Sequence, residues 1–269
     1  MTEYPIQILS TDGRRETGSA SVSDAFDRVH AGEIDVILMT VADPDEIASW
    51  WGTHEKLGMN GHKYHPGITT SGMTLGKLQR ASEEEYPERS GEYFRSASVV
   101  NPQFQKTEYF RFFERELDVR PMVLNGSGQM LIGSQREYPA ASEIDFSFAP
   151  HSDSIAFARA ADSWPIKTVY TQTAAFVTIN NAENNAGFVM WDYAPRSRAE
   201  LDEFYAIYDA DNANGLAFLD RNNSIEVHPA AGELCIFNCR KMHGIQRCSS
   251  LRRTIGSFFI QDDGWRIFD

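Results

Sequence analysis

Cysteine is scarce in this chain. The three present, Cys235, Cys239 and Cys248, are an odd number gathered toward one end, whereas a secreted scaffold spreads an even set along its loops. Buried free thiols and a reducing, cytoplasmic setting are expected. The spacing of Cys235 and Cys239, with no second such pair, does not suit a zinc site. Long apolar runs are missing as well: no window of about twenty apolar residues occurs. The opening MTEYPIQILSTDGRRETG lacks a basic stretch followed by an apolar one, so neither membrane spanning nor export is expected. Basic residues are outnumbered, with 25 Lys and Arg against 38 Asp and Glu and a formal net charge of −13. That balance opposes tight binding to nucleic acid, yet it leaves room for a local basic pocket that takes a small acid.

Internal repeats, low-complexity tracts and long Pro/Gly/Ser linkers are also absent, so residues 1–269 read as one domain. With 42% hydrophobic and 12% aromatic residues, the chain can fill a core without crosslinks. The pattern changes near Pro121. Before it, over residues 1–120, the chain reads as a helical support. Ser23–Ala31 and Asp43–Leu57 each open on a capping Ser or Asp, and Pro44 sits at a first helical position, where its missing N–H costs nothing. Gln103–Leu117 repeats the helical spacing with Phe104, Tyr109, Phe110, Phe113 and Leu117, and Ser82–Glu85 reads as a solvated helix start.

Over residues 121–269 the pattern shortens to strands: Gln129–Gly133, Ile144–Phe148, Val169–Ile179, Gly187–Trp191, Ser224–Val227, Glu233–Phe237 and Thr254–Gln261. Short strands separated by turns suggest a barrel or jelly roll. The fold class is therefore mainly β with flanking helices. One helical insertion, near residues 196–210, carries Leu201, Phe204, Tyr205 and Tyr208 on one stripe and reads as a lid or flank.

In Ala149-Pro150-His151-Ser152-Asp153 the His and Asp stand two apart, so in extended backbone both side chains leave the same face and can reach one ion. Taken alone the triplet is also compatible with a surface His beside a carboxylate. Further on, Val227-His228-Pro229-Ala230-Ala231-Gly232-Glu233-Leu234-Cys235-Ile236-Phe237-Asn238 describes strand, turn and strand, then His243, then Arg252-Arg253-Thr254. An Arg about ten residues past that His can turn into the neighbouring strand and grip a carboxylate with its planar fork. Ten-residue spacing favours Arg253, and an Arg-x-Thr pair on one strand face favours Arg252. His62 and His65 lack a nearby third ligand and read as a loop near the pocket. His228, beside a turn Pro, reads as structural.

The series HxD, Pro-x-x-Gly-x-Leu-x-x-Phe, His and Arg, spanning residues 129–261, resembles the Fe(II)- and 2-oxoglutarate-dependent oxygenase superfamily. That resemblance implies a cupin-like double-stranded β-helix. It implies iron held by His151, Asp153 and His243, and 2-oxoglutarate held by Arg253 or Arg252 with Thr254. Two imidazoles and one carboxylate occupy one face of Fe(II) and leave room for a bidentate 2-oxo acid and for O2. A zinc hydrolase can use the same three residues, and a cupin-like sensor can share the fold, but neither accounts for the Arg.

The long interval from His151 to His243, Arg159 eight residues after His151, the loop TTSGMTLGKLQR over Thr69–Arg80 and the pair Trp191-Asp192 narrow the resemblance. They are similar to the bacterial N-substituted L-amino acid dioxygenases, which hydroxylate N-succinyl aliphatic amino acids, and to related carrier-independent halogenases. By this resemblance Arg80, Arg159 and Arg198 would clamp the carboxylates of an acidic amino acid derivative, and Thr74 and Gly76 would belong to a closing loop. The halogenase relatives carry Gly or Ala where Asp153 stands, so the retained carboxylate implies hydroxylation. A tailoring enzyme acting on a nucleoside or alkaloid is the alternative, and a homodimer is left open.

Overall fold

Three central strands of the large sheet, Val36–Thr40, Thr173–Asn180 and Glu233–Phe237, are largely apolar and buried on both faces, as strands covered on both sides are. The computed structural model describes residues 2–52, 62–64, 67–79, 84–124, 127–141, 145–157 and 171–269. It opens with a hairpin of β1 (Tyr4–Leu9) and β2 (Arg15–Ala20). This hairpin turns at Asp12-Gly13, where Gly13 adopts a φ of +91° that costs glycine little. Helix α1 (Val22–His30), capped by Ser21, leads to the buried β3 (Val36–Thr40). Helix α2 (Pro44–Gly52) and the short strands β4 (His62–Tyr64) and β5 (Ile68–Thr70) follow, then helices α3 (Leu75–Gln79), α4 (Tyr86–Phe104) and α5 (Glu108–Leu117).

Beyond α5 come the short β6 (Arg120–Pro121), β7 (Val123–Leu124) and β8 (Gly128–Gln129), then β9 (Ser134–Tyr138) and β10 (Phe146–His151). Next are β11 (Thr173–Asn180), β12 (Phe188–Trp191), the helix pair α6 (Arg198–Ala210) and α7 (Asn212–Leu219), and β13 (Ser224–Val227). The chain finishes through β14 (Glu233–Phe237), β15 (His243–Gln246), β16 (Arg252–Asp262) and β17 (Gly264–Phe268). The large sheet runs β2-β1-β3-β14-β11-β16-β9-β5-β4, with β17 beside β16 and β6. The smaller sheet runs β10-β15-β12-β13. Rings from both meet between them: Phe188 lies 4.7 Å from Phe237 and 5.7 Å from Phe176 by ring centroids. The two sheets form a double-stranded β-helix with helices packed outside.

Several expectations need correction. The first 120 residues are more than a helical support, because β3 pairs with β14 in register and carries β1 with it into the core sheet; the Asp12-Gly13 turn was the missed signal. The helix expected over Gln103–Leu117 is divided, since α4 ends at Phe104 and Thr107 caps α5 by accepting from the Phe110 N–H. Gln129–Gly133 is strand only at its start. There the Asn101 side chain of α4 supplies the bonds a neighbouring strand would, donating to the Met130 carbonyl and accepting from Ile132 N–H. The Thr69–Arg80 stretch holds α3 rather than loop throughout. Arg80, His65 and Arg159 lie outside the described residues, and of His62 only its place in β4 is described.

Candidate metal centre

Strand β10 delivers His151 at its end and β15 opens with His243, and the two are cross-strand partners. The β10–β15 register shifts between Phe148 and His151, an irregularity of the kind that re-aims side chains at a sheet rim. The chain then leaves β10 toward Asp153, fixed on three sides. Asp153 N–H donates to the Cys239 carbonyl at 2.9 Å, and Ser152 Oγ donates to the Arg240 carbonyl at 2.9 Å. The Gln172 amide donates to the Asp153 carbonyl and accepts from Ile155 N–H. Ser152 and Gln172 were not singled out by sequence, because their role depends on a contact across some ninety and twenty residues.

Both imidazoles are buried, and each directs Nδ1 to a main-chain carbonyl: His151 to Ala149 and His243 to Lys241, both at 2.8 Å. A carbonyl only accepts, so Nδ1 carries the proton and the Nε2 lone pair faces inward. The Nε2 atoms lie 3.5 Å (His151) and 3.2 Å (His243) from the same oxygen, Asp153 Oδ2, and all three ligand atoms lie within 4.8 Å of one another. Burial pushes the Asp153 carboxyl up, but the two imidazoles against it outweigh this and hold it well below the usual carboxylate range. Burial lowers His151, which keeps its imidazole neutral as a ligand must be. The carbonyl that orients His243 belongs to Lys241, whose Nζ is anchored to Asp35 and Asp192 at 2.7 Å each. The donor set is that of a 2-His-1-carboxylate Fe(II) site.

Two chambers meet at this cluster. The inner one runs between the sheets, walled by Phe148, Phe176, Phe188 and Phe237, with Arg136, Tyr138 and Thr254 along its side. Beyond Tyr138 and Phe176 lies Arg252, fully buried, its guanidinium carbon 5.9 and 5.8 Å from those two ring centroids. Arg252 Nη1 donates to the Ala186 carbonyl at 2.8 Å, while Nε and Nη2 find no acceptor among the described residues. Buried donors of a cation are costly when unmet, and a carboxylate at this end of the chamber would meet both in a fork. Arg253 instead leaves the other face of β16, paired with Glu137 at 2.8 Å and over the Trp51 ring at 5.0 Å. The two arginines the sequence could not separate are thereby separated by strand alternation.

The outer chamber, about 310 Å³, is bordered by Phe157, Leu201, Tyr205, Tyr208, Arg198 and Gly76. The Arg198 side chain already binds Asp202 through Nε and Nη2 at 2.9 and 2.8 Å, and Nη1 donates to the Phe157 carbonyl at 3.2 Å. It ties α6 to the segment just past Asp153. Thr74 is buried just before α3, its hydroxyl without a partner among the described residues. His228 lies outside both chambers, bonded to the Asn185 carbonyl and Glu226.

No family model and no curated protein matches this chain. Among solved structures it is similar to an N-substituted L-amino acid dioxygenase from Burkholderia ambifaria AMMD, at 34% identity and a TM-score of 0.85 over 99% of both chains. A structure of such a dioxygenase from the same organism in complex with α-ketoglutarate, which is 2-oxoglutarate, matches at 32% identity and a TM-score of 0.83, covering 100% of this chain and 99% of the other.

Proposed function

The chain belongs to the Fe(II)- and 2-oxoglutarate-dependent dioxygenases, and from that premise we propose that it hydroxylates an aliphatic C–H of an N-substituted L-amino acid, with iron held by His151, Asp153 and His243. The observation that carries this reading is the convergence of two outward-locked imidazoles and one carboxylate at the junction of the two chambers. Bound Fe(II) supplies the activation of O2 that is coupled to oxidative decarboxylation of 2-oxoglutarate. The protein's part is positioning. Arg252, with Thr254 two residues on along the same face, takes the distal carboxylate of the 2-oxo acid. The phenylalanine walls exclude water from the inner chamber. The outer chamber, closed by α6, presents the amino acid derivative to the metal, and Arg80 and Arg159 are assigned to its carboxylates. Asp153 occupies the place a halide would need, which favours hydroxylation over halogenation.

The test is turnover of N-succinyl aliphatic L-amino acids with Fe(II), 2-oxoglutarate and O2 in excess chloride, read by succinate release and product mass. A product heavier by one oxygen is expected, with succinate release stimulated by substrate. A chlorinated major product, or no metal-dependent consumption of 2-oxoglutarate, overturns the reading.

A further inference from the structure

The turn at residues 238–242, between β14 and β15, supplies no metal ligand, yet two of the three ligands hang on it. Three successive carbonyls of the turn are engaged. Cys239 accepts from Asp153 N–H at 2.9 Å, Arg240 from Ser152 Oγ at 2.9 Å, and Lys241 from His243 Nδ1 at 2.8 Å. A displacement of the turn therefore moves the Asp153 main chain and the His243 ring together. The His151 ring is held elsewhere, by the Ala149 carbonyl.

The Lys241 side chain anchors this turn. An ammonium has three donors, and here each has an acceptor: Asp35 Oδ1 at 2.7 Å, Asp192 Oδ1 at 2.7 Å and Thr11 Oγ1 at 3.3 Å. Thr11 Oγ1 is free to accept because its own proton goes to Asp35 Oδ2 at 2.9 Å, where the Thr11 N–H also donates at 2.8 Å. The three acceptors come from the β1–β2 turn, from the residue before β3 and from the residue after β12. Asp35 holds the turn at both ends, since its carbonyl accepts from Asn238 N–H at 3.1 Å. Asp192 is tied down in turn by its N–H, which donates to the Asn223 carbonyl at 2.7 Å. Met242, the next residue, is fully buried in a separate cluster with Trp191, Leu201, Phe204 and Leu219. The Lys241 and Asp35 side chains are only 17% and 13% exposed, so solvent screens this network far less than it screens a surface ion pair.

We propose that Lys241, held by Asp35 and Asp192, is a positioning residue of the metal centre: it fixes the turn whose carbonyls aim His243 and Asp153. The inference rests on the metal-site reading above and extends it to side chains that line neither chamber. It also gives Asp192, half of the Trp191-Asp192 pair, a task.

Calorimetric titration with Mn(II), which needs no turnover, tests it well below the unfolding temperature. Lys241→Met should weaken Mn(II) about tenfold, the lower end of the range for groups that orient ligands. Asp192→Asn leaves the ammonium to Asp35 and Thr11; it should weaken Mn(II) about threefold, and it carries the test if Lys241→Met does not fold. The visible absorption of the Co(II)-loaded protein, which follows ligand geometry, should shift in the same variants. Val29→Ala, which opens a cavity on α1 away from both chambers, is the control: it should lower Tm and keep the wild-type Mn(II) affinity. Wild-type Mn(II) affinity in the Lys241 and Asp192 variants, with only Tm lowered, makes the network a plain stabilising ion pair and overturns this inference alone. A wild type that binds no Mn(II) overturns the metal-site reading along with it.

Discussion

His151 and His243 have their ring directions set before any metal arrives, because each Nδ1 is committed to a carbonyl. Removing either ring removes a ligand, and removing a brace loosens one. His151→Ala and His243→Ala should abolish stoichiometric Mn(II) binding while circular dichroism stays that of the wild type. Gln172→Ala, which frees the Asp153 main chain, should weaken the metal about tenfold, within the range for groups that orient ligands. Wild-type metal affinity in Gln172→Ala would refute its bracing role. The two adjacent arginines give a sharper contrast. Arg252→Met should raise the 2-oxoglutarate KM by at least about tenfold without lowering the unliganded Tm, since it removes a buried cation with two unmet donors. Arg253→Met breaks a part-exposed pair worth at most about 1 kcal/mol and should leave that KM alone.

Among the elements, the turn joining β13 to β14 is the least forgiving. Gly232 holds a φ of +87°, and a Cβ there would clash with the Ala42 carbonyl oxygen. Gly232 also donates to the Thr178 carbonyl and accepts from Val41 N–H, so it stitches β3, β14 and β11 together at one point. Gly232→Ala should cost about 3 kcal/mol of stability, combining left-handed backbone strain with a backbone clash. A urea midpoint equal to that of the wild type would contradict this. The Pro-x-x-Gly pattern made the turn visible in the sequence. The strand it serves was legible too, whereas β9 and β17 were not, since Ser134–Tyr138 reads Ser-Gln-Arg-Glu-Tyr and has no apolar alternation to betray it.

For the molecule as a whole, the three thiols are buried and unpaired, and burial pushes each one up from its ordinary range. Disulfide reagents react with thiolates that they can reach. The folded protein should therefore label slowly or not at all with Ellman's reagent and expose all three thiols together on unfolding. Reductant should leave Tm unchanged; labelling of one thiol at the rate of a free peptide would show that the C-terminal strands open locally. No helix among the described residues is long and apolar enough to cross a membrane.

By itself the sequence determined the chemistry. His151 and Asp153 two apart on extended backbone, His243 after a Pro/Gly turn, and an Arg on the following strand are local patterns, and local patterns survive in one dimension. The β-helix class and the helical insertion were legible for the same reason, as strand and helix periods. Tertiary structure decided which arginine faces inward, because Arg252 and Arg253 differ only in which side of β16 they leave, and strand register is fixed by burial and not by identity. It likewise decided that β1 and β3 join the core sheet, that Gln172 and Ser152 brace Asp153, and that Lys241, Asp35 and Asp192, far apart in the chain, meet in one cluster. Each of these depends on pairing between distant segments, and such pairing is set by the packing of the whole.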